Sequence, residues 1–287
     1  MQTTRIRLRS VKSAFCIAEY QPGFYVLGTQ QGRFSGEIKP VETKAGVFSL
    51  NVARGVDLVL TTGVGRLTLA SVAGELVSID VVGNAKLSRF SPFRNSVMDM
   101  CSIDGDQLVA CSSFDGSTVV ADTLTGKLIR RIDRYGHLAS YGKCLIIANG
   151  CRVVGVEWSN GNLLWERRVS ESVVGLVASS EESFIAMTSK SLNVFDNLRV
   201  IASTPAEPEV QFAEGASMIA ISANKRVAIG FSDGRVNLYD GVGPCEHPAE
   251  VARFRFDSDS VRACAISESR AAVLTSTGHL SLWQFNN

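Results

Sequence analysis

The sequence predicts an all-β protein folded as a single seven-bladed β-propeller over residues 1–287, and three features of the chain support this prediction. Short runs rich in Val, Ile, Leu, Phe and Ala alternate with polar positions and show almost no helical periodicity. Turns containing Gly, Asp, Asn or Ser separate these runs, as they do in sandwiches, barrels and propellers. The last repeat lacks one strand, which the first residues of the chain can provide.

The spacing of glycines selects a propeller from these all-β folds. Glycine follows the second strand of most repeats, and the intervals from Gly32 to Gly116 and from Gly150 to Gly234 are both 84 residues, or two units of 42. The interval from Gly32 to Gly278 is 246 residues, or six units of 41. A four-stranded propeller blade needs roughly 40–45 residues, so each repeat fits one blade.

The blades can be assigned from the apolar runs in chain order. We expect the first blade to begin near Ser13 and to include FYVLGTQQGRFSGEIK. The first strands of blades two to six are predicted at VFSLNVA (47–53), SVMDMCS (96–102), HLASYG (137–142), VVGLVAS (173–179) and MIAISA (218–223). Blade five is expected to end with RVIAS (199–203) and blade six with VARFRF (251–256).

The seventh blade, at about residues 261–285, contains only three runs, VRACAIS, AAVLTS and HLSLWQF. TRIRLRS (4–10) has no place in the first blade and alternates as a strand does. We therefore expect residues 4–10 to form the outer strand of the last blade and to close the ring, which would remove the exposed edges of an open sheet.

Several segments resemble WD40 repeats. FSDGRVNLYD (231–240) resembles the second turn and third strand of such a repeat, and STGHLSLWQF (276–285) and SSFDGSTVVADTLTGKLIRRID (112–133) are similar. Gly136 and His137 stand where these repeats often carry a Gly-His pair. The resemblance implies a propeller that binds other macromolecules.

The chain departs from the WD40 pattern in the polar network that such blades often share, in which a His, a Ser or Thr, a turn Asp and a Trp bond to one another. Asp233 has Tyr239 at the Trp position, and Trp283 has Thr277 in place of the turn Asp. No blade has the full set, so the resemblance implies a divergent member held together mainly by apolar packing.

Composition narrows the possible environments of the protein. The formal net charge of +1 gives no overall attraction to nucleic acid or acidic lipid. No run approaches the roughly 18 apolar residues of a membrane-spanning helix, and residues 1–12 lack the apolar region of a secretory signal. Seven cysteines form no CxxC pair and mostly lie in apolar runs, which predicts reduced thiols and a cytoplasmic or nuclear protein.

The sequence shows no catalytic or cofactor-binding constellation. His137, His247 and His279 fall in different repeats without the spacing of metal ligands, so no metal site is predicted. There is no GxSxG elbow and no phosphate-binding loop. SNGNLLWERR (159–168) resembles a repeat of quinoprotein-like propellers, but one such match does not indicate a cofactor, and none is predicted.

Three connections carry the aromatic and arginine side chains that are typical of interaction hot spots. The predicted partner-binding residues are Phe90, Phe93 and Arg94 in the connection 88–96, Phe114 in a turn of blade three, and Arg134 and Tyr135 in the next connection. Blade geometry predicts that these segments lie side by side on one rim, where propeller loops carry function. The alternative is that some of the phenylalanines pack between blades as wedges.

The N-terminal strand suggests a second, basic surface. Strand alternation would place Arg5, Arg7 and Arg9 on one face and Ile6 and Leu8 on the other. Arginines on an outer strand commonly keep an edge soluble and unpaired. The alternative is that this flank contacts RNA or an acidic peptide.

The leading hypothesis is a non-catalytic scaffold, one subunit of a larger multiprotein complex, which binds other proteins through rim loops and needs no small-molecule ligand. A second hypothesis is a propeller associated with RNA or ribonucleoprotein, for which salt-sensitive binding to the basic flank is expected. An enzyme or small-ligand binder using the central channel ranks last, because the predicted first strands are mostly apolar or small.

Overall fold

The computed structural model describes most of the chain, and every structural statement below concerns the described part alone. The described residues are 2–10, 14–21, 24–31, 35–40, 50–52, 55–62, 65–81, 85–103, 105, 107–180, 183–196, 210–211, 215–221, 226–240, 249–256, 259–267 and 269–286. These residues form 28 β-strands and no helix.

The strands form seven antiparallel sheets of four strands each among the described residues. The first sheet contains β2 (Ala14–Gln21), β3 (Phe24–Gln31), β4 (Ser35–Pro40) and β5 (Leu50–Val52). The second contains β6 (Val56–Thr61), β7 (Arg66–Ser71), β8 (Leu76–Asp80) and β9 (Ala85–Phe90). The third contains β10 (Val97–Ile103), β11 (Leu108–Ser113), β12 (Thr118–Asp122) and β13 (Leu128–Ile132). The fourth contains β14 (His137–Tyr141), β15 (Cys144–Asn149), β16 (Arg152–Glu157) and β17 (Leu163–Arg168).

The remaining sheets follow the same plan. The fifth contains β18 (Val173–Ser180), β19 (Ser183–Thr188), β20 (Ser191–Asp196) and β21 (Val210–Gln211). The sixth contains β22 (Ala216–Ile221), β23 (Val227–Phe231), β24 (Arg235–Asp240) and β25 (Ala249–Arg255). The seventh contains β26 (Val261–Ile266), β27 (Arg270–Thr275), β28 (His279–Asn286) and β1 (Gln2–Ser10). The predicted fold class, an all-β propeller of four-stranded blades, is confirmed.

The first strand completes the last sheet, as the register of the repeats predicts. β1 pairs antiparallel with β28, from Gln2 opposite Asn286 to Ser10 opposite His279. The sheet order is β1-β28-β27-β26, so β1 is the outermost strand. The pairing starts two residues earlier than the predicted strand at 4–10.

One predicted strand assignment is wrong. The run 47–53 was expected to open blade two, but Leu50–Val52 forms the outer strand of the first sheet, so blade two begins at Val56. Ala85–Phe90 then provides its fourth strand. The outer strand of blade five is Val210–Gln211, and the predicted strand 199–203 lies outside the described residues. Outer strands pair on one side only, so their sequence pattern is the weakest of the four.

The chain divides into two compact units. The N-terminal unit comprises Ser13–Ile147 and Gly155–Leu164, and the C-terminal unit comprises Met1–Lys12, Ala148–Val154 and Trp165–Asn287. Within the N-terminal unit, one apolar cluster joins the first two sheets, and another joins the second and third. Within the C-terminal unit, comparable clusters join the fifth to the sixth sheet and the sixth to the seventh. The core of each unit therefore lies between successive sheets, because alternate residues of a strand face opposite neighbours.

Candidate functional site

The three segments predicted to share a rim lie together in the N-terminal unit. The Ser113 hydroxyl, at the end of β11, donates to the carbonyl oxygens of Asn95 (3.2 Å) and Ser96 (3.0 Å), and the Phe114 amide reaches Ser96 O at 3.3 Å. The Thr118 hydroxyl donates to Arg134 O at 2.7 Å. These bonds connect the connection before β10, the β11–β12 turn and the connection after β13 into one surface.

Phe114 is the most exposed aromatic side chain of this surface, and hydrogen bonds hold the turn that carries it. The Asp115 carboxylate accepts hydrogen bonds from the amide (3.1 Å) and the hydroxyl (2.8 Å) of Ser117. Gly116 has φ +95°, a conformation that favours glycine. Asp115 and Gly116 thus have the structural role that an Asp-Gly hairpin turn predicts, and they hold Phe114 outward with 57% of its surface exposed.

Phe93 is buried and cannot serve as a surface contact, which corrects its predicted role. It is 5% exposed and packs in the apolar cluster between the second and third sheets, beside Leu76 and Val97. A β-carbon at Gly74 would stand 2.8 Å from Phe93 Cβ and 2.5 Å from Asn95 O, so the β7–β8 turn lies directly against this loop. Phe93 is the packing wedge of the alternative hypothesis, because a loop phenylalanine next to a neighbouring sheet gains more from burial than from exposure.

Phe90 is also displaced from the predicted surface. It is the last residue of β9, is partly buried and packs against the same cluster as Phe93. Its ring lies against the β12–β13 turn, where a β-carbon at Gly126 would be 3.1 Å from Phe90 Cδ1. That turn lies at the other end of β12 from Phe114, so the Phe90 ring lies away from the Phe114 turn.

Arg131, which the sequence did not single out, connects the first two segments. Its guanidinium donates to the Ser117 hydroxyl and to Pro92 O, both at 2.6 Å, and lies 5.8 Å from the centre of the Phe93 ring. Arg94 is exposed, Tyr135 is 37% exposed and Arg134 is partly buried. We refer to Arg94, Phe114, Arg131, Arg134 and Tyr135 as the rim surface.

The structure describes the backbone of the basic flank but not its side chains. β1 contains Arg5, Arg7 and Arg9, but their side chains lie outside the described residues. The backbone register places Arg5 opposite Trp283 and Arg7 opposite Leu282, with a bulge between them that interrupts the expected alternation. A common arginine face on this strand stays a prediction.

The inner strands of blades three and four carry a polar cluster. The Asp99 carboxylate accepts a hydrogen bond from the Leu138 amide at 2.9 Å and lies 3.5 Å from His137 Nδ1. Burial, and then the charge of Asp99, raise the pKa of the neighbouring Cys101 thiol far above its ordinary value. Cys101 is therefore held in its protonated form, which is a poor nucleophile.

The turn of the last blade is stabilised by an acid that comes from outside the turn. Asp259 is buried and accepts hydrogen bonds from the Ser276 hydroxyl (2.6 Å), the Thr277 amide (3.2 Å) and the Thr277 hydroxyl. Burial raises the pKa of Asp259, but hydrogen bonds from Ser276, Thr275 and Thr277 outweigh it and lower the pKa to about 2. Asp259 therefore supplies, from the preceding connection, a carboxylate that Thr277 cannot provide.

Exposed apolar side chains are unevenly distributed along the described chain. The large apolar residues that are markedly exposed are Val72, Phe114, Leu124, Leu128, Ile129, Tyr135, Leu163 and Leu164. All of them belong to the N-terminal unit. Sequence reasoning singled out only Phe114 and Tyr135; Leu128, Leu163 and Leu164 lie in strands, where apolar residues are expected to be buried.

The described residues contain neither a cluster of metal ligands nor a membrane-spanning helix. No three His, Cys, Asp or Glu side chains among them converge on a point where a metal ion could bind. Within the same ranges, no helix has the length and apolar character needed to cross a membrane.

No model of a known protein family matches the sequence. No curated protein is significantly similar to it. The resemblance to WD40 repeats therefore stays a prediction that rests on the residues quoted for it.

Proposed function

We propose that the protein is a non-catalytic interaction scaffold, a cytoplasmic or nuclear subunit of a multiprotein complex, that binds other proteins through its rim surface. The observation that carries this proposal is the placement of Phe114. A phenylalanine that is 57% exposed is held in a hydrogen-bonded turn, and hydrogen bonds link this turn to the segments that carry Arg94, Arg131 and Arg134. Aromatic residues and arginine dominate the energetics of protein–protein interfaces.

The rigidity of the rim surface supports a binding role. Ser113, Thr118 and Arg131 join its three segments through hydrogen bonds of 2.6 to 3.2 Å. A preorganised surface loses little conformational entropy when a partner docks, which favours affinity. Phe93 belongs to the first segment, and its buried side chain anchors that loop in the apolar cluster between the second and third sheets.

The alternative of an RNA-associated propeller has less support among the described residues. The chain has a formal net charge of only +1, and the rim surface is flanked by the exposed carboxylates of Asp115 and Asp133. Phosphate backbones are bound by continuous positive surfaces, and each added carboxylate weakens such binding.

Affinity capture from a native lysate tests the proposal. The protein is used as bait beside Phe114→Ala, Tyr135→Ala and the control Gln284→Ala, an exposed truncation on β28. We expect stoichiometric protein partners at 150 mM salt with the wild type and with Gln284→Ala, and at least tenfold less of them with both rim variants. Partners that the rim variants retain, or salt-labile RNA as the sole ligand, would overturn the proposal.

A further inference from the structure

The arginines of the rim surface lack the ion pairs that several other arginines of the described chain form. Five arginines elsewhere form ion pairs with carboxylates: Arg89 with Glu75, Arg152 with Glu166, Arg226 with Asp240, Arg235 with Asp233, and Arg253 with Glu250. Among the described residues, no carboxylate forms an ion pair with Arg94, Arg131 or Arg134. Three guanidinium groups on one surface therefore lack a direct carboxylate partner.

Arg131 has no ion pair, but hydrogen bonds hold its guanidinium in a defined orientation. Its two hydrogen bonds go to neutral oxygens, Ser117 Oγ and Pro92 O, each at 2.6 Å. The Ser117 hydroxyl in turn donates to the Asp115 carboxylate at 2.8 Å, so the nearest acid is one hydrogen bond removed from Arg131. A guanidinium without a direct ion pair can still form a charge-assisted hydrogen bond with an incoming carboxylate.

The apolar part of the rim surface lies close to these charges. Phe114 follows Ser113, which contacts the loop that contains Arg94, and Tyr135 follows Arg134 directly. Exposed aromatic rings give a ligand contact area, and arginines give it charge and direction. The combination fits a peptide in which acidic and large apolar side chains are interspersed.

We propose that the rim surface recognises an acidic segment of a partner protein, in which Asp or Glu side chains pair with Arg94, Arg131 and Arg134 while an apolar side chain packs on Phe114 and Tyr135. This inference rests on the proposed scaffold function and specifies its partner. A protein segment fits better than RNA, because the exposed carboxylates of Asp115 and Asp133 interrupt the positive surface, and an extended phosphate backbone is bound by a continuous one.

Fluorescence anisotropy tests the proposed chemistry with defined probes. The probes are a labelled 15-residue peptide of Glu, Asp, Leu and Phe, the same peptide with Lys in place of every acid, and a 15-nucleotide oligouridine. We expect the acidic peptide to bind at least tenfold more tightly than the other two at 100 mM salt. Preference for the lysine peptide or for oligouridine, or no binding of the acidic peptide, would overturn the inference.

Matched variants locate the binding. Arg94→Ser and Arg168→Ser remove the same charge from exposed arginines, but only Arg94 belongs to the rim surface. Arg94→Ser should weaken binding of the acidic peptide at least fivefold, Arg94→Ser with Arg134→Ser at least tenfold, and Arg168→Ser less than twofold. Equal losses with Arg94→Ser and Arg168→Ser would indicate a general charge effect and contradict the proposal. Circular dichroism melts check that each variant is folded.

The lysate capture separates this inference from the scaffold proposal. If Phe114→Ala loses the partners while Arg94→Ser with Arg134→Ser retains them, the scaffold function stands and the acidic recognition is wrong. If neither variant loses partners, both proposals are wrong.

Discussion

The third and sixth blades contain the same Asp-Gly turn in two different settings. In blade six, the Asp233 carboxylate pairs with Arg235, whose guanidinium lies 4.5 Å from the centre of the Phe231 ring. A β-carbon at Gly234 would overlap the carbonyl oxygen of Phe256 and approach Asp259 O at 2.6 Å. The turn is therefore covered by the chain that follows it.

In blade three, the corresponding turn is open. A β-carbon at Gly116 would meet no atom within 4 Å, and the residue before the Asp-Gly pair is an exposed phenylalanine. Blade six has Ser232 at that position. The comparison teaches that one local motif can close a packing contact in one blade and present a side chain to solvent in another, and that the surrounding backbone decides which.

The largest expected difference between the two turns is in their tolerance of alanine. Gly234→Ala has two penalties: a φ of +84° that alanine rarely adopts, and overlap of its β-carbon with the neighbouring backbone. Together they should lower the unfolding free energy by about 3 kcal/mol. Gly116→Ala keeps only the penalty of its φ of +95°, about 1 kcal/mol. Urea unfolding of both variants measures the difference, and equal costs would mean that the cover over Gly234 is not rigid.

Asp259, which lies beside the covered turn, is expected to have the next largest effect. Asp259→Asn should cost about 2 kcal/mol at pH 7, because charge-assisted hydrogen bonds become neutral ones. The folded pKa of about 2 lies below the ordinary value of 3.8, so the carboxylate stabilises the fold fully above that value and loses this contribution as the pH falls towards 2. Urea midpoints of the two proteins should converge over that interval, and a constant difference would contradict the assignment.

The smallest expected effect concerns the residue that precedes each Asp-Gly pair. Phe114→Ser and Ser232→Phe exchange the two exposed residues and should each change the unfolding free energy by less than about 0.5 kcal/mol. Calorimetric melting temperatures measure the change. A loss above about 1 kcal/mol for Phe114→Ser would show that this side chain packs, as Phe93 does, and would remove the main support for the rim surface.

Most of the fold could be predicted from period-two alternation and glycine spacing, because both follow from backbone geometry. The completion of the last sheet by the first strand also followed from counting strands. The short strand at Leu50–Val52 did not, because three residues with one pairing partner carry too little pattern to distinguish an outer strand from an inner one.

The candidate site could be predicted in its location but not in its composition. Topology places alternate turns of neighbouring blades at one end, so the three segments were expected to meet. Whether Phe93 is buried depends on the surface of the adjacent sheet, which no local pattern encodes. Arg131 was missed for a related reason: in the strand Leu128–Ile132 nothing distinguishes it from Arg130, whose guanidinium instead reaches Ser159 O at 3.0 Å.

The pairing of β1 with β28 has a consequence for synthesis. Gln2 and Asn286 are opposite each other but stand 284 residues apart, from 2 to 286. At a translation rate of roughly 5–20 residues per second, the first strand waits about 15 to 60 seconds for its neighbour. During that interval it is an unpaired strand that chaperones can bind, and a nascent chain that stops before β28 leaves it without its partner. Completion of the last sheet thus marks a chain that has been translated through β28.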